Sequence, residues 1–148
     1  MPIISPHDLT TNIYQEKLDS ISRTDKTILI SAISAAINEV QSYLSRFNLL
    51  QLFGDDNADP PVAATISDEF LNMLCKDVAC WHVAKLANVG LDISLLRTGY
   101  EDAICTLLRI QQVKQTPNGW PLLDLSTIVT TPGNPVEVNA RCKRRNNY

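Results

Sequence analysis

A chain of 148 residues fits a single domain and can bury roughly two thirds of the surface its unfolded form exposes, so no staple is required. Apolar residues make up 45% and charged residues 20%, which excludes a disordered chain, and the apolar stretches break well before the ~20 residues needed to cross a bilayer. The formal charge of -3 is uneven: Arg141, Lys143, Arg144 and Arg145 make the end basic, leaving nine basic against 16 acidic residues, net -7, for residues 1–140.

Met1 to Leu9 lacks the basic start and apolar run of a secretory signal, which points to a soluble protein made in the cytoplasm. Ser5-Pro6-His7-Asp8 has the parts of a helix start, with Ser5 to cap free amides, Pro6 at the first helical position and Asp8 near the positive dipole end. A short helix from Pro6 to about Glu16 is predicted, with Leu9 and Ile13 inward. A second turn over Lys17 to Ile21 precedes Ser22 to Thr24, which supply caps for the next element.

Residues 24–47 carry the clearest periodicity. Ile30, Ile33, Ile37, Val40, Leu44 and Phe47 recur at steps of three and four, an apolar stripe on a long amphipathic helix that other helices must cover. Gly54-Asp55-Asp56-Asn57-Ala58-Asp59-Pro60-Pro61 then reads as a long exposed loop, with Leu49, Leu50, Leu52 and Phe53 as an apolar anchor at its base. Thr65 or Ser67 is placed to cap a central helix with Asp68 and Glu69 in its first turn and Gly90 at its end. Its inner face should carry Phe70, Leu71, Leu74, Val78, Trp81 and Leu86. A last helix is expected from about Ser94 or Thr98 to Gln115, with Tyr100, Ala103, Ile104, Leu107, Leu108 and Gln111 on or beside its stripe. Two prolines and Asn118-Gly119 stop it. Ser126 to Thr131 is β-branched and suits a strand or an extended segment lying on a neighbour, interrupted at Pro132-Gly133-Asn134-Pro135.

The fold class expected is all-α, a compact bundle of four to five helices with a long loop after the second long element and an extended C-terminal tail. The division is residues 1–125 as a helical domain and 126–148 as an extended, partly disordered tail.

No pattern in the chain carries catalysis. His7 and His82 are the two histidines, and a nucleophile–histidine–acid set would need His82 beside Cys75, Cys80 or a serine with Asp77 behind it, which helix geometry makes awkward. Glycine-rich phosphate loops, GxSxG and HExxH are absent from the sequence. Cys75, Cys80, Cys105 and Cys142 offer neither CxxC nor a second matching pair and read as buried or semi-buried free thiols. Asp68 with Glu69 and Glu101 with Asp102 are explained by capping, and Asp55, Asp56 and Asp59 lack the regular loop and closing Glu of a calcium site. No catalytic residue, cofactor or metal is therefore expected.

Ser5-Pro6-His7-Asp8-Leu9 at the start, Ala32-Ile33 and Ala36 leading into Val40-Gln41-Ser42-Tyr43-Leu44-Ser45-Arg46-Phe47-Asn48-Leu49, the helix with Asp77-Val78-Ala79, and Tyr100 to Leu108 followed by a glycine-containing stop and Leu122 form an ordered set. Across about residues 3–125 this set resembles the Mu-like small helical proteins of tailed bacteriophages and prophages that are grouped with head–tail connectors. The resemblance implies an all-helical, non-enzymatic virion subunit. Such subunits self-associate into a ring beneath the portal and join it to the tail, with packaged DNA nearby. It further implies residence in the bacterial host cytoplasm and then in the virion, with no membrane association. The chain departs from the pattern at Leu50 to Ile66, where the loop is longer and lacks Leu-Pro-Leu, and at residues 126–148, which extend beyond it. Candidate contact residues are Ile128 and Val129 in the tail, Arg141, Lys143, Arg144 and Arg145 at its end, and Leu52 and Phe53 at the loop base. The alternative is a helical regulatory or DNA-binding module using the basic tail, although an acidic body repels phosphate.

Overall fold

The computed structural model describes residues 4–22, 26–86 and 93–124. The Thr24 cap, the Gly90 stop, the Ser126–Thr131 segment and the tail lie outside the described residues. A 3₁₀ segment, Pro6–Thr11, precedes α1 (Gln15–Ser22), α2 (Lys26–Tyr43), α3 (Leu49–Phe53), α4 (Glu69–Leu86) and α5 (Ile93–Gln111). Among the described residues there is no strand, and extended backbone pairs only at isolated bridges, Phe47 with Leu122 and Asp55 with Val62. The fold is all-α. Its helices pack as a bundle in which α4 is central, lying against α2 and, on another side, against α5.

The chain start folds around Asp8, whose carboxylate accepts from the Ser5 backbone N–H at 2.8 Å and from the Ser5 hydroxyl at 2.7 Å. Ser5 and Asp8 form a capping box at the start of the 3₁₀ segment, as expected for the cap, and the two hydrogen bonds from Ser5 hold the Asp8 pKa below its ordinary 3.8. The single helix expected over Pro6 to Glu16 is two elements. Thr10 and Thr11 donate their hydroxyls to the His7 and Asp8 carbonyls at 2.7 and 3.0 Å, bonds that compete with helix continuation. The chain breaks at Asn12–Tyr14 and restarts at Gln15. Leu9 and Ile13 still reach the core.

In α2 the stripe is rotated from the expected one. Leu29, Ala32, Ile33, Ala36 and Val40 are buried, Ile37 is half-buried, and Ile30 is 53% exposed. Two alanines allow α4 to approach closely, so the covered face centres on them rather than on the larger isoleucines. The helix stops at Tyr43, earlier than Phe47, and two successive turns close from the Leu44 amide to Gln41 and from the Phe47 amide to Leu44. Those turns swing Leu44 and Phe47, both almost wholly buried, into the core.

Helix α4 starts on Asp68, not on Thr65 or Ser67: the Asp68 carboxylate accepts from the Phe70 amide at 2.7 Å. Leu71, Leu74, Cys75, Val78, Ala79 and Val83 are buried along it, and Leu86, expected inside, is 54% exposed. In α5 the buried residues are Ala103, Leu107 and Ile110, with Leu108 and Gln111 facing outward. Its end is a Schellman turn, with the Lys114 amide bonded to Arg109 and the Val113 amide to Ile110. Val113 holds the left-handed position, φ 63°, where glycine is the usual occupant.

Candidate interaction surface

Three features stand out where helices meet. The first is a polar knot joining the long helices. Glu39 on α2 takes His82 Nε2 of α4 on Oε2 at 2.6 Å and accepts the Tyr100 hydroxyl of α5 on Oε1 at 2.7 Å. Trp81 stacks on the Tyr100 ring at 5.6 Å, and the Lys85 ammonium lies 5.4 Å from the Trp81 centroid. Burial pulls the Glu39 pKa upward, but the hydrogen bonds from His82 and Tyr100 outweigh it and leave the pKa below 4.5. The same bond pushes Tyr100 up to about 12, since ionising the phenol would face the carboxylate. With both Glu39 oxygens engaged, the knot ties three helices together.

The pieces of a nucleophile–histidine–acid set lie apart in this arrangement. His82 faces Glu39, Cys75 and Cys80 are buried thiols each pushed up to about 12 by desolvation, and Asp77 accepts from Asn12 Nδ2 at 3.2 Å. Burial raises the Asp77 pKa above 3.8, the Asn12 bond opposes that, and the neighbouring Asp102 adds to it. Cys105, grouped above with the buried thiols, is exposed. It sits on the side of α5 opposite the face that packs on α4. Among the described residues no group of three or more His, Cys, Asp or Glu is set to hold a metal, and no helix is long and apolar enough to cross a membrane.

The second feature is a strap. The segment after α5 returns to the α2–α3 connection, where the Asn48 amide bonds to Pro121 at 2.9 Å and the Leu123 amide to Arg46 at 2.9 Å. Trp120, 6% exposed, anchors it: the indole edge meets the Phe47 ring at 5.5 Å and 82°, Phe70 lies beside it at 6.3 Å, and Nε1–H donates to the Asp68 carboxylate. Asp68 therefore caps α4 with one oxygen and holds Trp120 with the other.

The third is a groove of about 510 Å³ between α2 and α3, continued by the Gly54–Asn57 turn. Its lining is mainly polar, from Ser34, Asn38, Gln41 and the exposed Asp55 and Asp56, with Ile37, Leu49 and Leu50 as the apolar part. The expected contact pair Leu52 and Phe53 is not on the surface in the way proposed from sequence. Asn48 accepts the Gln51 amide on its side chain and starts α3 as a full turn, which points Leu52 and Phe53 inward at 0% and 6% exposure. Leu50, 49% exposed, is the apolar residue this segment offers outward. On a helical turn Leu50 lies roughly opposite Leu52 but shares a side with Phe53, so spacing separates the first pair and not the second. Ile128, Val129, Arg141, Lys143, Arg144 and Arg145 lie outside the described residues.

No protein-family model, curated protein or solved structure matches this chain.

Proposed function

We propose that this protein is a structural subunit of a tailed phage or prophage particle, a head–tail connector that self-associates into a ring and joins the portal to the tail. The observation that carries the reading is where the resembling residues fall. Ser5 to Leu9 forms the capped start, and Val40 to Leu49 forms the joint at which α2 turns, α3 begins and the C-terminal strap is fastened. A rigid helical body whose segment 120–123 is fastened back onto the α2–α3 joint suits a part that works through outward contacts. Host cytoplasm followed by the virion is the location this role requires.

Mass spectrometry of purified virions tests the role directly, with the protein expected in mature particles in ring stoichiometry and absent from free capsids that lack a connector. Deleting residues 126–148 is expected to leave the circular dichroism spectrum and cooperative melt intact while abolishing incorporation. Normal incorporation of the truncated protein would refute the part assigned to the tail. Salt-sensitive binding to duplex DNA, with no protein in virions, would favour the regulatory alternative instead.

A further inference from the structure

We propose that the outward face of α5 pairs antiparallel with the same face of a second copy of this chain, so that Arg109 of each copy reaches an acidic cavity of the other. The inference stands apart from the connector role, since a two-fold contact closes on itself and cannot alone build a ring. Opposite the buried Ala103, Leu107 and Ile110, the helix and its last turn carry Thr98, Glu101, Cys105, Leu108 and Gln112 at steps of three and four, all of them exposed. Leu95 and Val113, 69% and 61% exposed, stand at the two ends of this face.

Charge is divided along the face. Near its start a cavity of about 450 Å³ is lined by Asn12, Asp77, Thr98, Gly99 and Asp102, with Leu95 at the lip and no basic residue in its wall. Asp77 is half-buried there beside the Asp102 charge, and two carboxylates so placed are stabilised by a cation brought between them. Beyond Cys105 the sign reverses: Arg109 and Lys114 are exposed, and residues 103–119 contain no Asp or Glu. Arg97 and Glu101 are bonded to each other at 2.7 Å and cancel. The helical rise puts Asp102 about 4.5 Å before Cys105 and Arg109 about 6 Å after it, on the same flank. An antiparallel copy related by a two-fold axis near Cys105 therefore sets the partner's Arg109 level with Asp102, and the symmetry makes the contact twice. Val113 lies eight positions past Cys105, which carries the partner's Val113 to the lip between Leu95 and Thr98. A parallel pairing would instead set Asp102 on Asp102 and Arg109 on Arg109, a like-charge arrangement that opposes association.

Cys105, close to the axis, reports on this geometry in the full chain. In a Cys142→Ser background Cys75 and Cys80 are 0% and 1% exposed, which leaves Cys105 as the reactive thiol. Mild oxidation is expected to give a dimer linked from 105 to 105, seen on a non-reducing gel and by peptide mass spectrometry. Antiparallel pairing holds the two copies of position 94 about 33 Å apart. Moving the thiol there, by Ser94→Cys with Cys105→Ser, should therefore slow linkage by about tenfold or more, as for thiols that meet only by collision. Sedimentation velocity of the unlinked protein should show a monomer–dimer equilibrium. Asp102→Arg or Arg109→Asp alone should weaken that equilibrium by about tenfold, and the two together should restore it. Linkage at 94 as fast as at 105, or a protein that stays monomeric at submillimolar concentration, would overturn the proposal. A dimer that neither charge reversal weakens would overturn it too, and would place the contact on another face.

Discussion

Replacing Trp120 tests whether the C-terminal strap belongs to the folding unit. The side chain is buried against Phe47 and Phe70, and its indole N–H donates to the Asp68 carboxylate. Trp120→Ala removes all of these and leaves a cavity beside Phe47, at an expected cost of about 3–5 kcal/mol. Trp120→Phe keeps most of the ring contact and loses the bond to a charged acceptor, an expected cost of about 1–3 kcal/mol. In a domain of this size each kcal/mol shifts Tm by about 3 °C, so the alanine variant should melt about 10 °C lower and the phenylalanine variant a few degrees lower. Urea denaturation followed by circular dichroism gives the two free energies, with Leu122→Ala as reference because Leu122 is 57% exposed and should change stability by about 0.5 kcal/mol or less. A Trp120→Ala loss no greater than that of Leu122→Ala would refute the claim that residues 120–123 fold with the bundle.

Other perturbations separate the remaining features. Tyr100 is held protonated up to about 12 against 10.0 when free, so its stabilisation is complete below pH 10 and is lost as pH rises through 12. Tyr100→Phe should remove that alkaline step from the stability profile and cost about 1 kcal/mol at pH 7. Asp77 is the reverse of a paired carboxylate. Its folded pKa lies above 3.8, so its ionisation disfavours the fold as pH rises through that value, and Asp77→Asn should raise Tm at pH 7 but not at pH 3. Backbone conformation gives an opposed pair. Gly54 has φ 73° and a Cβ there would collide with the backbone of Val62 and Ala64, so Gly54→Ala should cost more than about 2 kcal/mol in a urea melt. Val113→Gly relieves a left-handed valine in open solvent and should gain up to about 1 kcal/mol.

Local signals in the sequence located the helices better than they oriented them. The three-and-four spacing finds α2, α4 and α5, yet it places Ile30 and Leu86 inside and leaves Ala36 and Ile110 off the stripes, because periodicity ranks residues by size and hydropathy. Which stripe is covered depends on where a second helix can come closest, and small residues decide that in α2. Residue type marks Asp68 as favourable charge at a helix start, and only the folded backbone shows that its carboxylate, not Thr65 or Ser67, is the cap. Trp120 follows the Asn118-Gly119 stop and belongs to no apolar stripe that would mark it as core. Its role depends on Phe47, Asp68 and Phe70, which lie 50 or more residues away in the chain. The Glu39–His82–Tyr100 knot is equally a product of tertiary placement, with partners 43 and 61 residues apart. A lone histidine and a lone glutamate on separate helices carry no joint pattern until the bundle closes.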